Sequence, residues 1–329
     1  MRIVALMNQK GGVGKTTTTV NLGACLSQLD KRVLLIDMDP QANLSVHVDA
    51  DAGGADKSVY HILTNRISFE ETIQRTSVVN LDVIPSHIDL SGAEIELVQA
   101  MGRETILREA IREFEEKNPD RYDIILIDCP PSLGLLSINA MAVATEVLVP
   151  LQMEFFALRG MSKLMEVIRL VEKRLNPAIK VSGIIPCMWD SRKRLCRDVL
   201  EEVCNYFKDK VFNTRIRANV KIAEAPSHGK VIVEYDEECN GAEDYRSLAR
   251  EFLIRGGEVL PEPEPPVLEP EPPAPEPEVP APGKGSVGLR EEAEPADEAP
   301  VPHPHPAPPD TIRPHPTGHE SEGIRPWAT

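Results

Sequence analysis

The hydrophobic positions of the first 260 residues alternate between two patterns. Short, nearly continuous runs of apolar and β-branched residues are typical of strands buried on both faces of a parallel sheet. They predict strands at 3–7, 33–36, 81–84, 124–127, 147–151, 180–185 and 231–233. Stretches with apolar residues at helical spacing predict helices at 17–29, 92–116, 161–175 and 198–207. This alternation indicates an α/β fold with a doubly wound, mostly parallel sheet. In such sheets, ligands bind beyond the carboxyl ends of the strands.

Composition divides the chain close to residue 257. Of its 30 prolines, 21 follow Leu260, and residues 261–329 carry 14 acidic but only 4 basic side chains. A segment with so little apolar content does not offset the entropy lost on ordering. The preceding part has an ordinary composition and is long enough to bury most of its apolar surface. We therefore predict a folded domain at 1–257 and a disordered Pro/Glu/His-rich tail at 258–329.

The same sequence excludes several classes of protein. No run of 18 apolar residues is present, so we predict no membrane-spanning helix and no membrane partner. The apolar start reaches Asn8 without a cleavage site, which indicates a strand and not a signal peptide. Six cysteines without metal-ligand spacing indicate a reducing compartment, the cytoplasm. A net charge of −16 argues against a wholly DNA-attracting surface but leaves room for a local basic patch.

The segment between the first predicted strand and helix has the pattern of a phosphate-binding loop. Gly14, Lys15 and Thr16 match the end of a Walker A motif, whereas Gln9 stands where its first glycine would be. A second lysine, Lys10, enters the loop. Glycines let backbone N–H groups surround an anion at a helix N-terminus. The predicted nucleotide-binding residues are Lys10, Gly11, Gly12, Val13, Gly14, Lys15, Thr16 and Thr17.

Acidic residues at the ends of two predicted strands complete a candidate ATP and Mg²⁺ site. Asp37 and Asp39 follow the second strand, and Asp128 follows the run at 124–127, where a Walker B aspartate is expected. Phosphoryl transfer needs a metal ion and carboxylates that hold it. The predicted Mg²⁺ residues are therefore Asp37, Asp39 and Asp128, together with the Thr16 hydroxyl.

Several long motifs resemble one family. These are KGGVGKTTT, LLIDMDPQ, ILIDCPPSLG, LSGAEIELV, VLVPLQMEFFAL, NVKIAEAPSHGK and GAEDYRSLAREF. Together they resemble the ParA/Soj chromosome- and plasmid-partitioning ATPases of the deviant-Walker superfamily, which includes MinD. The resemblance covers about residues 1–255. It implies a P-loop NTPase of the SIMIBI type that hydrolyses ATP as a dimer formed on ATP binding.

The resemblance also implies roles for individual residues. Lys10 would reach across the dimer interface to the partner's phosphates, and Gly11 would allow close approach there. Asp39 would position the attacking water, Asp37 would assist the metal shell, and Asp128 would be the Walker B residue. The implied catalytic residues are Lys10, Lys15 and Asp39. A second cation at the γ-phosphate is also what the phosphoryl-transfer transition state requires on general grounds.

Members of this family bind DNA non-specifically and are stimulated by a ParB-type partner, which implies an association with the nucleoid. The basic residues of this chain that would contact DNA phosphates are Arg192, Arg194, Arg217 and Lys221. The family wording IPRNVR is altered here, because Arg217 replaces its proline and Ala218 its arginine. No arginine finger is evident within the chain, so we expect slow hydrolysis that a partner accelerates.

Three other functions remain to be distinguished. An ATPase that positions another cargo would use the same chemistry, and the sequence separates it poorly. A MinD-like membrane-cycling ATPase would need a basic amphipathic C-terminal helix, which the acidic, proline-rich tail does not provide. An iron–sulfur ATPase would need cysteines that bridge a dimer, whereas Cys129 is more simply a small buried residue.

Overall fold

A computed structural model describes residues 1–50, 57–155 and 157–260. The strands in these ranges are β1 (Arg2–Leu6), β2 (Val33–Asp37), β3 (Gln74–Arg75), β4 (Leu81–Ile84), β5 (Ile124–Asp128), β6 (Glu146–Gln152) and β7 (Lys180–Cys187). They form one sheet in the order β3-β4-β2-β5-β1-β6-β7. Every pairing is parallel except that of β3 with β4. The predicted doubly wound, mostly parallel α/β sheet is therefore confirmed.

Helices cover both faces of this sheet. They are α1 (Lys15–Ser27), α2 (Asn43–His47), α3 (Val59–Leu63), α4 (Phe69–Thr72), α5 (Leu90–Glu96), α6 (Ile106–Lys117), α7 (Leu135–Val143), α8 (Ala157–Arg174), α9 (Arg194–Phe207), α10 (Val220–Glu224), α11 (Ile232–Tyr235) and α12 (Asn240–Arg255). Short 3₁₀ turns lie at Leu97–Gln99, Lys208–Lys210 and Ala225–His228. Alternate residues of β1 enter different cores. Ile3 and Ala5 pack on the side of α6–α9, and Val4 and Leu6 pack on the side of α1 and α12.

Two predictions about local structure are wrong. The apolar run at 231–233 is not a strand, because Val231 is the N-cap of α11 and the other two residues are the first two of that helix. The Ile232 N–H donates to the Asn21 Oδ1 (2.7 Å), so this segment is fixed to α1 and not to the sheet. The helix predicted at 92–116 is divided into α5 and α6, because the chain turns through Gly102 at a φ of +68°. The two-residue strand β3 is too short to give a hydrophobic pattern.

The chain after α12 still contacts the domain for a few residues. Glu258 forms an ion pair with Lys31 (2.6 Å), and Leu260 packs against the core beside α1. The rest of the predicted tail, 261–329, lies outside the described residues, and its disorder stays a prediction. Within the described ranges, no helix is both long and apolar enough to cross a membrane.

Candidate nucleotide-binding site

A glycine loop joins β1 to α1 at the carboxyl edge of the sheet. Gly12 and Gly14 have φ values of +72° and +90°, a backbone conformation that side chains other than glycine rarely adopt. A Cβ at Gly11 or Gly12 would meet no atom within 4 Å, so the loop backbone faces open space. α1 begins at Lys15, directly after Gly14. This arrangement aims backbone N–H groups and the positive end of a 13-residue helix at one place.

That open space is a cavity of about 730 Å³. Its walls come from the glycine loop, from the segment after β2 together with α2, from Ser91 of α5, from the turn after β5, and from one residue each after β7 and in the 3₁₀ turn at Ala225–His228. The residues that line it are Gly11, Gly12, Gly14, Lys15, Thr16, Thr17, Asp39, Pro40, Gln41, Asn43, Val46, His47, Ser91, Pro130, Pro131, Ser132, Met188 and Pro226. Six of the eight predicted loop residues and one of the predicted carboxylates, that of Asp39, therefore face the same cavity, whereas Lys10 and Val13 do not line it.

The buried carboxylate of Asp128 lies under the start of α1. The Thr16 hydroxyl donates to its Oδ2 (2.6 Å), and the Thr19 hydroxyl to its Oδ1 (3.4 Å). Asp128 also lies beside Asp37, because these two residues are paired between β5 and β2. Burial, and then the neighbouring charge of Asp37, raise the pKa of Asp128 to about 8. The hydrogen bond from Thr16 and the charge of Lys15 oppose this shift but do not cancel it.

Asp37 accepts three hydrogen bonds, two of them from backbone N–H groups, whereas Asp128 accepts two, both from hydroxyls. The Asp39 N–H donates to its Oδ1 (3.1 Å), and the Ser45 N–H and hydroxyl donate to its Oδ2 (3.0 and 2.7 Å). Burial raises its pKa to about 6, although the bonds from Ser45 oppose that shift. The Gln41 N–H donates to the Oδ1 of Asp39 (3.0 Å). The turn after β2 is therefore built around Asp37, and it holds Asp39 at the edge of the cavity.

These donors suit a Mg²⁺ ion that arrives with a nucleotide. In the part of the chain that the structure describes, no three His, Cys, Asp or Glu side chains converge into a metal cage. Mg²⁺ prefers one or two protein oxygens together with substrate phosphates and water. The Thr16 hydroxyl on the Asp128 carboxylate, at the base of an open anion-binding loop, matches that preference.

A second, more apolar cavity of about 370 Å³ lies on the other side of Thr17. Its lining includes Cys187 and Met188 at the end of β7, several residues of the segment 216–223, Pro226 of the 3₁₀ turn at Ala225–His228, and Tyr245 of α12. Sequence reasoning did not single out these residues as a site. The NVKIAEAPSHGK motif supplies part of the wall, but its composition alone does not indicate contact with a ligand.

Lys10 points to a different place from the rest of the loop. Its ammonium donates to the Gln152 Oε1 (3.0 Å) and forms an ion pair with the Glu154 carboxylate, both at the end of β6. Lys10 is not among the residues that line the large cavity. Gln152 and Glu154 were missed from the sequence. Their position in the sequence could have indicated them, because Gln152 directly follows the predicted parallel strand at 147–151 and Glu154 comes shortly after it, and ligands bind at the carboxyl ends of such strands.

The four predicted DNA-binding residues lie on neighbouring segments, because the Trp189 N–H donates to the Ile216 carbonyl (2.9 Å). All four have acidic partners. Arg192 pairs with Asp190, Arg194 with Asp198, and Lys221 with Glu224. Arg217 is held more firmly, between Asp244 and Glu243, both at 2.7 Å. The Arg192 and Arg194 side chains are 89 % and 87 % exposed, whereas that of Arg217 is 38 % exposed.

Comparisons with known proteins agree with this geometry. A family model described as an AAA domain matches residues 1–181. The chain is 48 % identical over 255 residues to the sporulation initiation inhibitor protein Soj of Bacillus subtilis, covering 78 % of this chain and 99 % of that protein. It is 46 % identical over 257 residues to the chromosome-partitioning ATPase Soj of Treponema pallidum, with coverage of 78 % and 99 %.

Solved structures share the fold. The crystal structure of cobyrinic acid a,c-diamide synthase from Mycobacterium smegmatis, with bound ATP analogue and magnesium, is 34 % identical to this chain and superposes with a TM-score of 0.68. That match covers 79 % of this chain and 98 % of the other. Pyrococcus furiosus cell division ATPase MinD is 27 % identical, with a TM-score of 0.62 over 77 % of this chain and 98 % of the other.

Proposed function

The chain is an ATPase of the Soj/ParA family of chromosome-partitioning proteins, and from this premise we propose that it dimerises on ATP, binds DNA non-specifically and partitions DNA together with a ParB-type partner. The observation that carries this proposal is one juxtaposition. The glycine loop, Lys15, Thr16 and Asp128 meet at the base of an open cavity. Such a site holds a triphosphate and its metal ion. ATP is the substrate, and Mg²⁺ accompanies it.

Each polar group of the site has a task in phosphoryl transfer. The loop N–H groups and Lys15 bind and orient the phosphates. Thr16 and Asp128 would hold a Mg²⁺ ion or its waters, and the ion would neutralise charge on the phosphates. Asp39 faces the cavity, and the hydrogen bond that its carboxylate accepts from the Gln41 N–H fixes its orientation. In the proposed reaction, Asp39 orients the attacking water. Asp37 is a positioning residue, because its oxygens are engaged in holding that turn.

Dimerisation on ATP is supported by the surface around the cavity. Val46 of α2 and Met188, directly after β7, both line the cavity, and they are 61 % and 39 % exposed. Exposed apolar residues grouped around a site are typical of a protein interface. In the proposed dimer, Lys10 of each subunit contributes its cation to the phosphates of the partner. Formation of the dimer then depends on bound ATP, because each Lys10 needs the partner's phosphates.

Binding of DNA is supported by the exposed cations on the segment that leads into α9, with Arg192 just before the helix and Arg194 as its first residue. Arg192 and Arg194 project into solvent, and their acidic partners are exchangeable for phosphates because exposed ion pairs are weak. The chain's overall charge is −16, but screening over about 8 Å at physiological salt lets a local patch act alone. Association with the nucleoid follows from such binding.

The double variant Arg192→Glu/Arg194→Glu is expected to weaken retention on non-specific DNA by about tenfold or more at 100 mM salt, because two phosphate contacts become repulsive. ATP binding should be unchanged. Electrophoretic mobility shifts with ATP and Mg²⁺ measure the change. Lys173→Glu/Arg174→Glu, at the end of α8, is the matched control with the same change of charge. Equal retention by the two double variants would remove this segment from the proposed DNA surface.

Arg217→Ala is expected to lower the free energy of unfolding by about 1–3 kcal/mol, because it removes a cation from the nearly buried Asp244. The range lies below the full cost of breaking a buried pair, since Arg217 itself is partly exposed. Urea unfolding measures it. Arg194→Ala, which breaks an exposed pair, should stay within about 0.5 kcal/mol of the unaltered chain. Similar losses in both variants would show that the Asp244 contact has no special weight.

The test of the whole proposal is ATP turnover with Mg²⁺, measured alone, with non-specific DNA, with a ParB-type protein, and with both. We expect slow basal turnover and stimulation that needs the partner. Turnover that neither DNA nor the partner changes would instead favour the positioning of another cargo. The assignment of 1–257 as the ATPase domain and 258–329 as a tail is also a proposal. A chain ending at residue 257 should keep basal turnover.

A further inference from the structure

The side chain of Lys10 is directed to the end of β6 by a chain of contacts. The Asn8 side chain donates from Nδ2 to the Pro150 carbonyl (2.8 Å), which fixes the loop to β6. The Asn8 Oδ1 in turn accepts from the Lys10 N–H (3.0 Å). Asn8 is buried, so this connection is part of the domain core. The Lys10 backbone is thus placed where its ammonium reaches Gln152 and Glu154 of its own subunit.

We infer that Gln152 and Glu154 are positioning residues that hold Lys10 within its own subunit until a partner's triphosphate replaces them. This inference rests on the proposed function, in which Lys10 acts across the dimer. The contact keeps the ammonium out of its own phosphate cavity. In addition, each subunit must break its Lys10–Glu154 ion pair when the dimer closes, and this lowers the stability of the dimer.

The Lys10–Glu154 pair is weak enough for a partner's triphosphate to displace it. The Lys10 and Glu154 side chains are 51 % and 50 % exposed, so water competes for both charges and the pair is weak. A triphosphate carries several negative charges where Glu154 carries one, so it wins the ammonium once the partner is in place. The pair therefore raises the concentration of ATP-bound protein that is needed for dimerisation, but it does not prevent the dimer from forming.

The test compares the dimer dissociation constants of full-length variants by analytical ultracentrifugation with Mg²⁺ and the non-hydrolysable analogue AMPPNP. Glu154→Gln should lower that constant about 2- to 25-fold, because an exposed pair favours the bound lysine by about 1.4- to 5-fold and two pairs must break. Gln152→Ala should lower it less. Glu94→Gln removes an exposed carboxylate from α5 without touching Lys10, and it should leave the constant unchanged.

A second variant separates direct contact from a general effect of charge. Glu154→Asp keeps the charge but shortens the side chain by one methylene, so it should also favour the dimer. If Glu154→Asp behaved as the unaltered chain while Glu154→Gln favoured the dimer, the charge alone would be responsible and the inference would be overturned.

Two further outcomes identify which idea has failed. A dimer that is unchanged or weakened by Glu154→Gln would overturn this inference alone, since a merely structural role for Glu154 predicts a weaker dimer. An unaltered chain that remains monomeric with Mg²⁺ and AMPPNP would overturn the proposed function, and this inference with it.

Discussion

Lys10→Ala is expected to lower partner-stimulated ATP turnover by about 10³-fold, the lower end of the effect of a cation supplied across an interface. Nucleotide binding should survive, because the glycine loop and Lys15 of the same chain are intact. The ATP-dependent dimer should be lost or much weakened. Turnover and sedimentation, each measured with and without DNA, give the two readouts. Normal hydrolysis by Lys10→Ala would contradict a role for Lys10 at any phosphate.

Mixing two inactive variants determines which subunit Lys10 serves. Asp39→Ala keeps Lys10 but lacks the residue that orients water, whereas Lys10→Ala keeps Asp39. In a mixed dimer one site has both groups if Lys10 acts on the partner's nucleotide, and neither site has both if it acts on its own. An equimolar mixture should recover at most about one quarter of the normal turnover, because random pairing makes half the dimers mixed, with one complete site each. The weaker dimerisation of Lys10→Ala lowers this value, so the mixture is measured at a protein concentration where sedimentation shows mixed dimers. No recovery would show that Lys10 acts within its own subunit.

The sequence predicted the parts of the fold that repeat a simple pattern. Central strands such as β2 and β5 are buried on both faces, so their apolar runs are unambiguous. The run at 231–233 is equally apolar, yet it forms part of a helix because a side chain of α1 takes its N–H. Local composition does not encode that tertiary contact. The break between α5 and α6 depends on one glycine with positive φ, which helical spacing alone conceals.

At the candidate site, too, the sequence predicted which residues belong to the site but not all of their contacts. The order of strand, glycine loop and helix predicts the cavity, and the aspartates at the strand ends predict Asp128 beneath it. The sequence does not reveal which acidic side chains form ion pairs with which basic ones. Arg217 was predicted to face DNA, yet its guanidinium lies between two carboxylates of α12. Lys10 was placed by resemblance, and only the structure shows its contacts with Gln152 and Glu154.

Asp128→Asn is expected to make the nucleotide-free chain more stable while lowering Mg²⁺-dependent turnover by about 10²-fold or more. The folded-state pKa of Asp128, about 8, lies above its ordinary value. Stability from this group is therefore fully present below the ordinary carboxyl pKa and is lost as the pH rises through 8. The asparagine carries no charge and keeps an oxygen for the Thr16 hydroxyl. We expect a gain of about 1–2 kcal/mol at pH 8, measured by thermal unfolding without Mg²⁺, and a flatter dependence of stability on pH.

Asp37→Asn is the matched control, and it should act in the opposite direction. Asp37 is also buried, but three donors already converge on its oxygens. An amide NH₂ in place of one oxygen would face an N–H or a hydroxyl and leave donors unpaired, so we expect a loss of about 1–3 kcal/mol. If both asparagine variants were destabilised, the carboxylate of Asp128 would be structurally satisfied without a cation. If Asp128→Asn alone gains stability, the site gives up folding energy so that a charged carboxylate is ready for the metal ion.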